Sequence, residues 1–177
     1  RLNNEIEPYV NVWGYYDDEV NQLNHVLHNI DQGISILEKT DLSYLDKITL
    51  ICGNGPSLDD YFDLIKYYRE KIHIIAAGSA AESLLRNDIY PDILATIESD
   101  YDTFHAFNLF SLEKLKKINI IGAAQIHPRS FELFSDSIIF FKNESMYANI
   151  LNKKYHSIQF SPPSASNTAL AIAMDAK

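Results

Sequence analysis

Apolar residues in the first part of the chain recur at the three- and four-residue spacing of one helix face. The positions are Val20, Leu23, Leu27, Ile30, Ile34 and Leu37. This pattern predicts an amphipathic helix over residues 18–38. No element is assigned to the aromatic lead-in before it, which contains Tyr9, Trp13, Tyr15 and Tyr16.

From Lys47 onward, short apolar runs alternate with helix-like segments. The predicted strands are Ile48–Cys52, Ile72–Ala76, Ile93–Ile97, Ile118–Ile121, Ile138–Phe141 and Ser157–Phe160. The predicted helices are Leu58–Glu70, Ala80–Asn87, Thr103–Lys117, Ser145–Lys153 and Ser166–Ala176. This alternation is typical of βαβ crossovers, so we expect an α/β fold with a Rossmann-like, mostly parallel, doubly wound sheet.

The predicted organisation has two parts. Residues 1–46 form an N-terminal lead-in with the amphipathic helix, and residues 47–177 form a Rossmann-like nucleotide-binding domain. The strand Ile48–Cys52 is expected to be central in the sheet. The chain opens on Arg1 and closes on a helix pattern with no C-cap, so we interpret it as a fragment of a longer protein.

Ligands in such sheets bind at the carboxyl ends of the strands, and the first strand ends in a glycine-rich turn. The turn contains Gly53, Asn54, Gly55, Pro56 and Ser57. Both glycines permit a positive φ and close approach of a phosphate, and the proline suits a helix entrance. Ser57 with an acidic residue three positions on is interpreted as a capping box. A turn of this kind also occurs where nothing binds, and both interpretations stay open.

The next two strand ends carry polar groups as well. Gly78 breaks the second strand, and Ser79 with Glu82 forms another capping-box pattern, which is either simple capping or part of a site. The third strand is followed by Glu98 and Asp100, whose carboxylates are suited to accept ribose hydroxyls, hold a metal or act as a base. Asp100 either has a functional role or caps the next helix; because Asp102 is better placed for that cap, Asp100 is favoured as a functional residue.

The end of the fourth strand and the end of the last strand carry the remaining candidate residues at the carboxyl edge of the predicted sheet. His127 is a candidate general base, since its reference pKa lies near neutrality, although a loop position alone explains it. The last strand leads into a stretch of small hydroxyl residues that opens an Ala-rich helix. The hydroxyls of three residues there are candidate hydrogen-bond donors to a phosphate or a sugar: Ser164, Ser166 and Thr168.

Composition narrows the function classes. The net charge of −9 argues against sequence-independent binding to nucleic acid, and no apolar stretch of transmembrane length or signal-peptide pattern is present. The single cysteine, Cys52, excludes an internal disulfide framework and favours a cytoplasmic location. Its apolar surroundings predict a buried structural thiol.

Two common nucleotide-binding motifs are absent. No lysine follows the glycine turn, which excludes a P-loop. The dinucleotide fingerprint needs a third glycine where this chain has Leu58, and an acidic residue at the end of the second strand, where it has Ala76-Ala-Gly78. A nicotinamide oxidoreductase is therefore disfavoured.

Three motifs together resemble the motility accessory factor family. They are Gly53-Asn-Gly-Pro-Ser-Leu58, then Ala77-Gly-Ser-Ala-Ala-Glu-Ser-Leu-Leu85 with Ile89-Tyr-Pro-Asp-Ile93, and finally Ser164-Ala-Ser-Asn-Thr-Ala-Leu-Ala171. The archaeal 6-hydroxymethylpterin diphosphokinases are similar in the same motifs, and the first string also resembles the CMP-binding turn of bacterial sialyltransferases. The third motif is less glycine-rich than is usual in the family. The resemblance covers about Lys47 to the end.

This resemblance implies a glycosyltransferase that moves a nonulosonic acid of the sialic, pseudaminic or legionaminic type. The donor would be CMP-activated, and the acceptor would be a Ser/Thr hydroxyl of a protein such as flagellin. The implied nucleotide-binding residues are Gly53, Asn54, Gly55, Pro56, Ser57, Gly78, Ser79, Ser164, Ser166 and Asn167. Asp100 is implied at the ribose, at a metal or at the reacting centre, and Asp100 and His127 are the candidate catalytic residues.

Two alternatives remain. A diphosphokinase acting on a pterin-like alcohol would use ATP and magnesium, with Asp100 and Glu98 as the candidate metal ligands. A non-catalytic nucleotide-binding or docking domain would keep the fold alone. Neither the sugar, the acceptor nor the oligomeric state can be determined from the sequence.

Overall fold

The computed structural model describes residues 16–38, 47–143, 145–151, 155, 157–161 and 163–175. The aromatic lead-in residues Tyr9, Trp13 and Tyr15 lie outside the described residues. The strands are β1 (Ser35–Ile36), β2 (Ile48–Cys52), β3 (Ile72–Ala77), β4 (Ile93–Thr96), β5 (Asn119–Ala123), β6 (Ser137–Lys142) and β7 (Ser157–Ile158). The α-helices are α1 (Tyr16–Asp31), α2 (Phe62–Tyr68), α3 (Ala80–Arg86), α4 (Tyr101–Phe107), α5 (Leu112–Leu115), α6 (Met146–Ile150) and α7 (Ala165–Asp175). Short 3₁₀ segments cover Pro56–Tyr61, Arg69–Lys71 and Pro128–Leu133.

The strands form one sheet in which every described pairing is parallel. Its order is β1-β6-β5-β4-β3-β2, and β7 pairs with β6. The predicted α/β, Rossmann-like fold is therefore confirmed. Central strands are apolar runs because helices cover them: all four residues of β4 are buried, as are the last four of β3.

The predicted central position of Ile48–Cys52 is wrong within the described part of the chain. There β2 stands at the end of the strand order and pairs only with β3. Its first residue, Ile48, is 76% exposed, and an apolar groove runs beside the strand. The apolar composition of this run shows that it is a strand, but it does not distinguish a central strand from one at the end.

The N-terminal helix ends earlier than its apolar periodicity predicts. It stops at Asp31, and Gly33 follows with a φ of +70°, a left-handed conformation that favours glycine and terminates helices. Ser35 and Ile36 then pair in parallel with Ile138 and Ile139 as β1. The helix prediction for the last seven positions, residues 32–38, is therefore wrong.

Two further predicted helices are interrupted. The segment predicted as Leu58–Glu70 contains the end of one 3₁₀ turn, the α-helix α2 and the start of another 3₁₀ turn. The segment Thr103–Lys117 is divided into α4 and α5, because Ser111 adopts an extended conformation and caps α5 by accepting a hydrogen bond from the Lys114 amide. Neither break is marked by glycine or proline in the sequence.

Two helices determine what surrounds the carboxyl ends of the strands. Helix α7 packs across β2, β3 and β4, and α1 packs against α6 and against the segment that follows β5. Among the described helices, none combines the length and apolarity needed to cross a bilayer.

Candidate functional site

A cavity of about 290 Å³ lies at the carboxyl ends of β2, β3 and β4. We call it the strand-end cavity. Its walls come from the turns after these strands, from one face of α4 and from the first turn of α7. The lining residues are Asn54, Ala77, Gly78, Ser79, Glu82, Thr96, Glu98, Thr103, Ala106, Phe107, Ala165 and Ser166. This is the location that the sheet topology predicts for a ligand.

The first turn of α7 packs directly on the turns after β2 and β3. A Cβ added to Gly53 would lie 3.3 Å from Ser166 Oγ, and one added to Gly78 would lie 3.2 Å from Ala165 Cβ. Both separations are too short for comfortable packing. Glycine at these two positions therefore lets a helix N-terminus reach the strand ends.

Only one of the glycines in these turns needs its conformational freedom. Gly78 has a φ of +53°, in the left-handed region. Gly53 and Gly55 do not, and Gly55 is extended with a φ of −98°. The first turn therefore does not use the positive φ that its glycines permit, and a Cβ on Gly55 would meet only Ser57 Oγ, at 3.9 Å.

Neither predicted capping box forms. Ser57 lies inside a 3₁₀ segment whose N-cap is Gly55, with no side-chain cap bond. Ser79 does precede α3, but its hydroxyl accepts a hydrogen bond from Asn54 Nδ2 at 3.0 Å instead of capping the helix. Glu82 pairs with Arg86 at 2.6 Å. Ser79 is the N-cap residue of α3 by position, but the capping boxes predicted at Ser57 and at Ser79 are both wrong.

The predicted nucleotide-binding residues separate into two groups. Asn54, Gly78, Ser79 and Ser166 line the strand-end cavity, and Gly53 lies directly beneath Ser166. The remaining predicted residues lie elsewhere. Gly55 and Pro56 are exposed, and Ser57 faces the apolar groove beside β2. Asn167 faces another groove along α7, and Ser164 is not among the residues that line the strand-end cavity.

The N-terminus of α7 lies at the strand-end cavity and has features suited to binding an anion. Ser164 caps it, its Oγ accepting from the Asn167 amide at 3.2 Å. Thr168 Oγ1 donates to the Ser161 carbonyl, so that hydroxyl serves the fold. Because Ala165 and Ser166 are the first two helical residues, their amides have no partner within the helix and lie at the cavity wall.

The two strand-end carboxylates have different surroundings. Glu98 lines the cavity. Asp100 is the N-cap of α4: its Oδ1 accepts from the amide and hydroxyl of Thr103, at 2.8 and 3.1 Å. The expectation that Asp102 caps this helix is wrong. Both cap bonds use the same Asp100 oxygen, so Oδ2 takes no part in the cap, and Asp100 is exposed and is not among the residues that line the strand-end cavity.

His127 is separated from the cavity by α4. Thr103, Ala106 and Phe107 line the cavity, whereas the opposite face of α4 presents Phe104 to the His127 ring. Burial, followed by the neighbouring charges of His25 and Arg129, lowers the pKa of His127 below its usual value. The structure does not bring this residue to the glycine turns.

Cys52 is buried in β2. Burial raises the pKa of its thiol to about 11, so it stays protonated at neutral pH. A protonated thiol is a poor nucleophile. The predicted structural role of this cysteine agrees with these surroundings.

The cavity is acidic. Of the described residues that line it, Glu82 and Glu98 carry negative charge and none is a lysine or an arginine. Arg86 pairs with Glu82 at 2.6 Å, and Lys142, at the end of β6, interacts electrostatically with Glu98. Burial lowers the pKa of Lys142, while Glu19 and Glu98 act in the opposite direction. Sequence reasoning missed Lys142, although its position at a strand end was a signal.

Within the described residues, no three His, Cys, Asp or Glu side chains converge as a metal site. The cavity can therefore offer a helix N-terminus to one phosphate, small hydroxyl and amide groups to a sugar, and a carboxylate to a hydroxyl donor. These groups are suited to bind a nucleotide with few phosphates.

Comparisons with known proteins identify the family and support the fold. Residues 22–177 match the family model described as 6-hydroxymethylpterin diphosphokinase MptE-like. A solved structure, the MAf glycosyltransferase from Magnetospirillum magneticum AMB-1, is similar with a TM-score of 0.70 and 26% identity. The match covers 80% of this chain and 23% of that chain, so this chain spans about a quarter of that protein's length. No curated protein sequence matches significantly.

Proposed function

The chain belongs to the 6-hydroxymethylpterin diphosphokinase MptE-like family, and we propose that it is the nucleotide-binding part of a glycosyltransferase. The reaction would move a nonulosonic acid from a CMP-activated donor to a Ser/Thr hydroxyl of an acceptor protein such as flagellin. The similarity to a solved MAf glycosyltransferase supports this class of activity. Both comparisons also support the resemblance to the motility accessory factor family that the sequence motifs indicate.

The observation that carries the proposal is the balance of charges in the strand-end cavity. Its described lining has no lysine or arginine and has two carboxylates, of which Glu82 is already paired with Arg86. The amides of Ala165 and Ser166 begin an 11-residue helix and can hold the single phosphate of CMP. The three phosphates of ATP would bring much more negative charge into the same acidic cavity.

We propose that Glu98 binds the ribose of the nucleotide. Its carboxylate lines the cavity and can accept hydrogen bonds from the ribose hydroxyls. Asn54 and Ser79 would hold the turns on either side of the phosphate. Asp100 remains the proposed catalytic base, through the Oδ2 that takes no part in the cap.

The proposed transfer follows ordinary glycosyl chemistry. The bond between the anomeric carbon and the CMP phosphate oxygen breaks, and the acceptor oxygen bonds to that carbon while its proton passes to the base. The transition state resembles an oxocarbenium ion. The first amides of α7 would stabilise the charge that develops on the departing phosphate.

The family description favours a second candidate, a diphosphokinase that transfers a pyrophosphoryl group from ATP to a pterin-like alcohol. Glu98 and Asp100 would then be oxygen ligands of magnesium, with the nucleotide phosphates completing its coordination. No described cluster of three metal-binding side chains supports an independent metal site. This candidate therefore depends on metal that arrives with the nucleotide.

A pair of assays on the full-length protein distinguishes these functions. The first measures CMP release from a CMP-nonulosonic acid in the presence of flagellin, and the second measures AMP formation from ATP, magnesium and hydroxymethylpterin. We expect CMP release only, and loss of at least roughly 10²-fold in Asp100→Asn, in line with general acid–base roles. AMP formation alone would establish the diphosphokinase. Activity in neither assay would favour a non-catalytic domain.

A further inference from the structure

Gln125 lies in the turn after β5 and is one of the few buried polar residues, with 2% of its surface exposed. Its side-chain Nε2 donates to the Ile97 carbonyl at 3.1 Å, and its Oε1 accepts from the Tyr147 hydroxyl. Its backbone carbonyl lies 3.0 Å from His25 Nδ1. Because an unsatisfied buried amide is costly, these partners hold the side chain in one orientation.

The partner Ile97 is the residue immediately before Glu98. Strand β4 ends at Thr96, where its pairing with β5 also ends. The other described bond at this point is long, with 3.5 Å between the Glu98 amide and Thr96 Oγ1. The hydrogen bond from Gln125 is therefore the shorter of the two described side-chain hydrogen bonds to this backbone, and it adds to the packing of the Ile97 side chain against the core.

We propose that Gln125 is a positioning residue that fixes Glu98 at the strand-end cavity by holding the Ile97 carbonyl. It does not line the cavity itself, and it would act on a ligand only through Glu98. The inference rests on the proposed role of Glu98 as the acceptor of ribose hydroxyl hydrogen bonds.

Two other elements hold Gln125 in turn. In helix α1, Asn29 Nδ2 donates to the carbonyls of Ala124 and Ile126, both at 2.9 Å, so the backbone on each side of Gln125 is fixed. In α6, burial raises the pKa of Tyr147, so its hydroxyl remains a donor at physiological pH. The N-terminal helix would thus support the ligand site from outside it.

The test compares how strongly variants of the full-length protein distinguish CMP from 2′,3′-dideoxy-CMP in calorimetric titrations. The wild type should bind CMP roughly tenfold or more tightly, because the dideoxy compound leaves the Glu98 carboxylate without its partners. Glu98→Gln should lose most of this preference. Gln125→Met removes the bond to Ile97, and its preference should fall toward that of Glu98→Gln.

Tyr147→Phe is the matched control. It removes a bond to the same Gln125 side chain but leaves the Ile97 bond, so its preference should stay within about twofold of wild type, although losing one buried hydrogen bond lowers its stability. If Gln125→Met does not fold, Gln125→Leu replaces it, because its smaller apolar side chain also removes the donor to Ile97. Its preference should fall in the same way.

The outcomes separate the two proposals. Wild-type preference in a folded Gln125→Met or Gln125→Leu variant would overturn the positioning role while leaving the ribose role of Glu98 intact. Full preference in Glu98→Gln would overturn the ribose role and, with it, the positioning role. No CMP binding by the wild type would overturn the proposed function itself.

Discussion

The side-chain amide of Asn54 donates a hydrogen bond to Ser79 Oγ at 3.0 Å and so ties the turn after β2 to the turn after β3. Its Oδ1 accepts from Ser83 Oγ at 2.8 Å, on the following helix. Asn54 is 25 residues from Ser79 in the chain. One exposed asparagine therefore links two of the three turns that form the strand-end cavity.

Removing this link should weaken the fold slightly. Asn54→Ala loses both bonds, and we expect a fall of about 0.5–1.5 kcal/mol in the free energy of unfolding, toward the low end because the site is exposed. Denaturant unfolding measures it. Ser57→Ala is the control, since Ser57 makes no cap bond and should be neutral. If Ser57→Ala proves more costly than Asn54→Ala, the capping box predicted from the sequence exists after all.

The second prediction compares the stabilities of two variants, Gly78→Ala and Gly55→Ala. Gly78→Ala places a side chain in the left-handed region and within 3.2 Å of Ala165 Cβ, and we expect it to cost at least about 1–2 kcal/mol of stability. Gly55→Ala has an extended φ of −98° and open space, so its stability should be close to wild type. Equal stabilities of the two variants would show that Gly78 does not need its observed conformation.

The third prediction concerns the opposite end of the sheet. Asp92 accepts from Arg69 Nη2 at 2.8 Å and from the Ile74 amide at 2.7 Å, which fastens β4 to β3 at their amino ends. Asp92→Ala should lower the free energy of unfolding by about 1.5–3 kcal/mol, the range for hydrogen bonds to charged groups. CMP affinity should not change, because the strand-end cavity is at the carboxyl ends.

The control for Asp92 is Lys114→Ala. Lys114 pairs with Asp88 at 2.8 Å on the exposed surface. Exposed pairs of this kind contribute little, so we expect unfolding curves that superimpose on the wild type. A larger effect for Lys114→Ala than for Asp92→Ala would contradict the importance assigned to the Asp92 contacts.

The fourth prediction is a pH dependence. Burial lowers the pKa of His127 in the folded protein. At a pH between this lowered value and the ordinary value near 6.5, the unfolded chain therefore binds more protons than the folded protein does. Stability contributed by neutral His127 is therefore present above about pH 6.5 and is lost as the pH falls through that range. Denaturant midpoints at pH 7.5 and 5.5 should differ more in wild type than in His127→Gln. His105→Gln, an exposed control, should keep the wild-type difference.

The sequence predicts the sheet well because its evidence is local. Runs such as Ile93–Ile97 are apolar and β-branched, and the structure places strands there within one or two residues. Strand β1 was missed because two residues, Ser35 and Ile36, carry too short a pattern, and they form a strand only through pairing with β6. Apolar residues on both sides of Gly33 fit the helical period by coincidence.

The site is predictable in part for the same reason. Glycine turns and strand-end carboxylates are local features, and Asn54, Gly78, Ser79, Ser166 and Glu98 do meet at one cavity. The connections of Gln125 are not local: its side-chain partners are 28 and 22 residues away, and one of them is a backbone carbonyl. No residue pattern indicates such a bond before the fold is known.

The most direct measurement of the central claim is a calorimetric titration of CMP into the full-length protein and two α4 variants. Ala106 lines the strand-end cavity, whereas His105, one residue earlier, is exposed and does not line it. We predict that the wild type and His105→Phe bind CMP equally. Ala106→Phe, which fills the cavity, should lose binding by about 10²-fold, or roughly 2.7 kcal/mol. Unchanged CMP affinity in a folded Ala106→Phe variant would contradict the account.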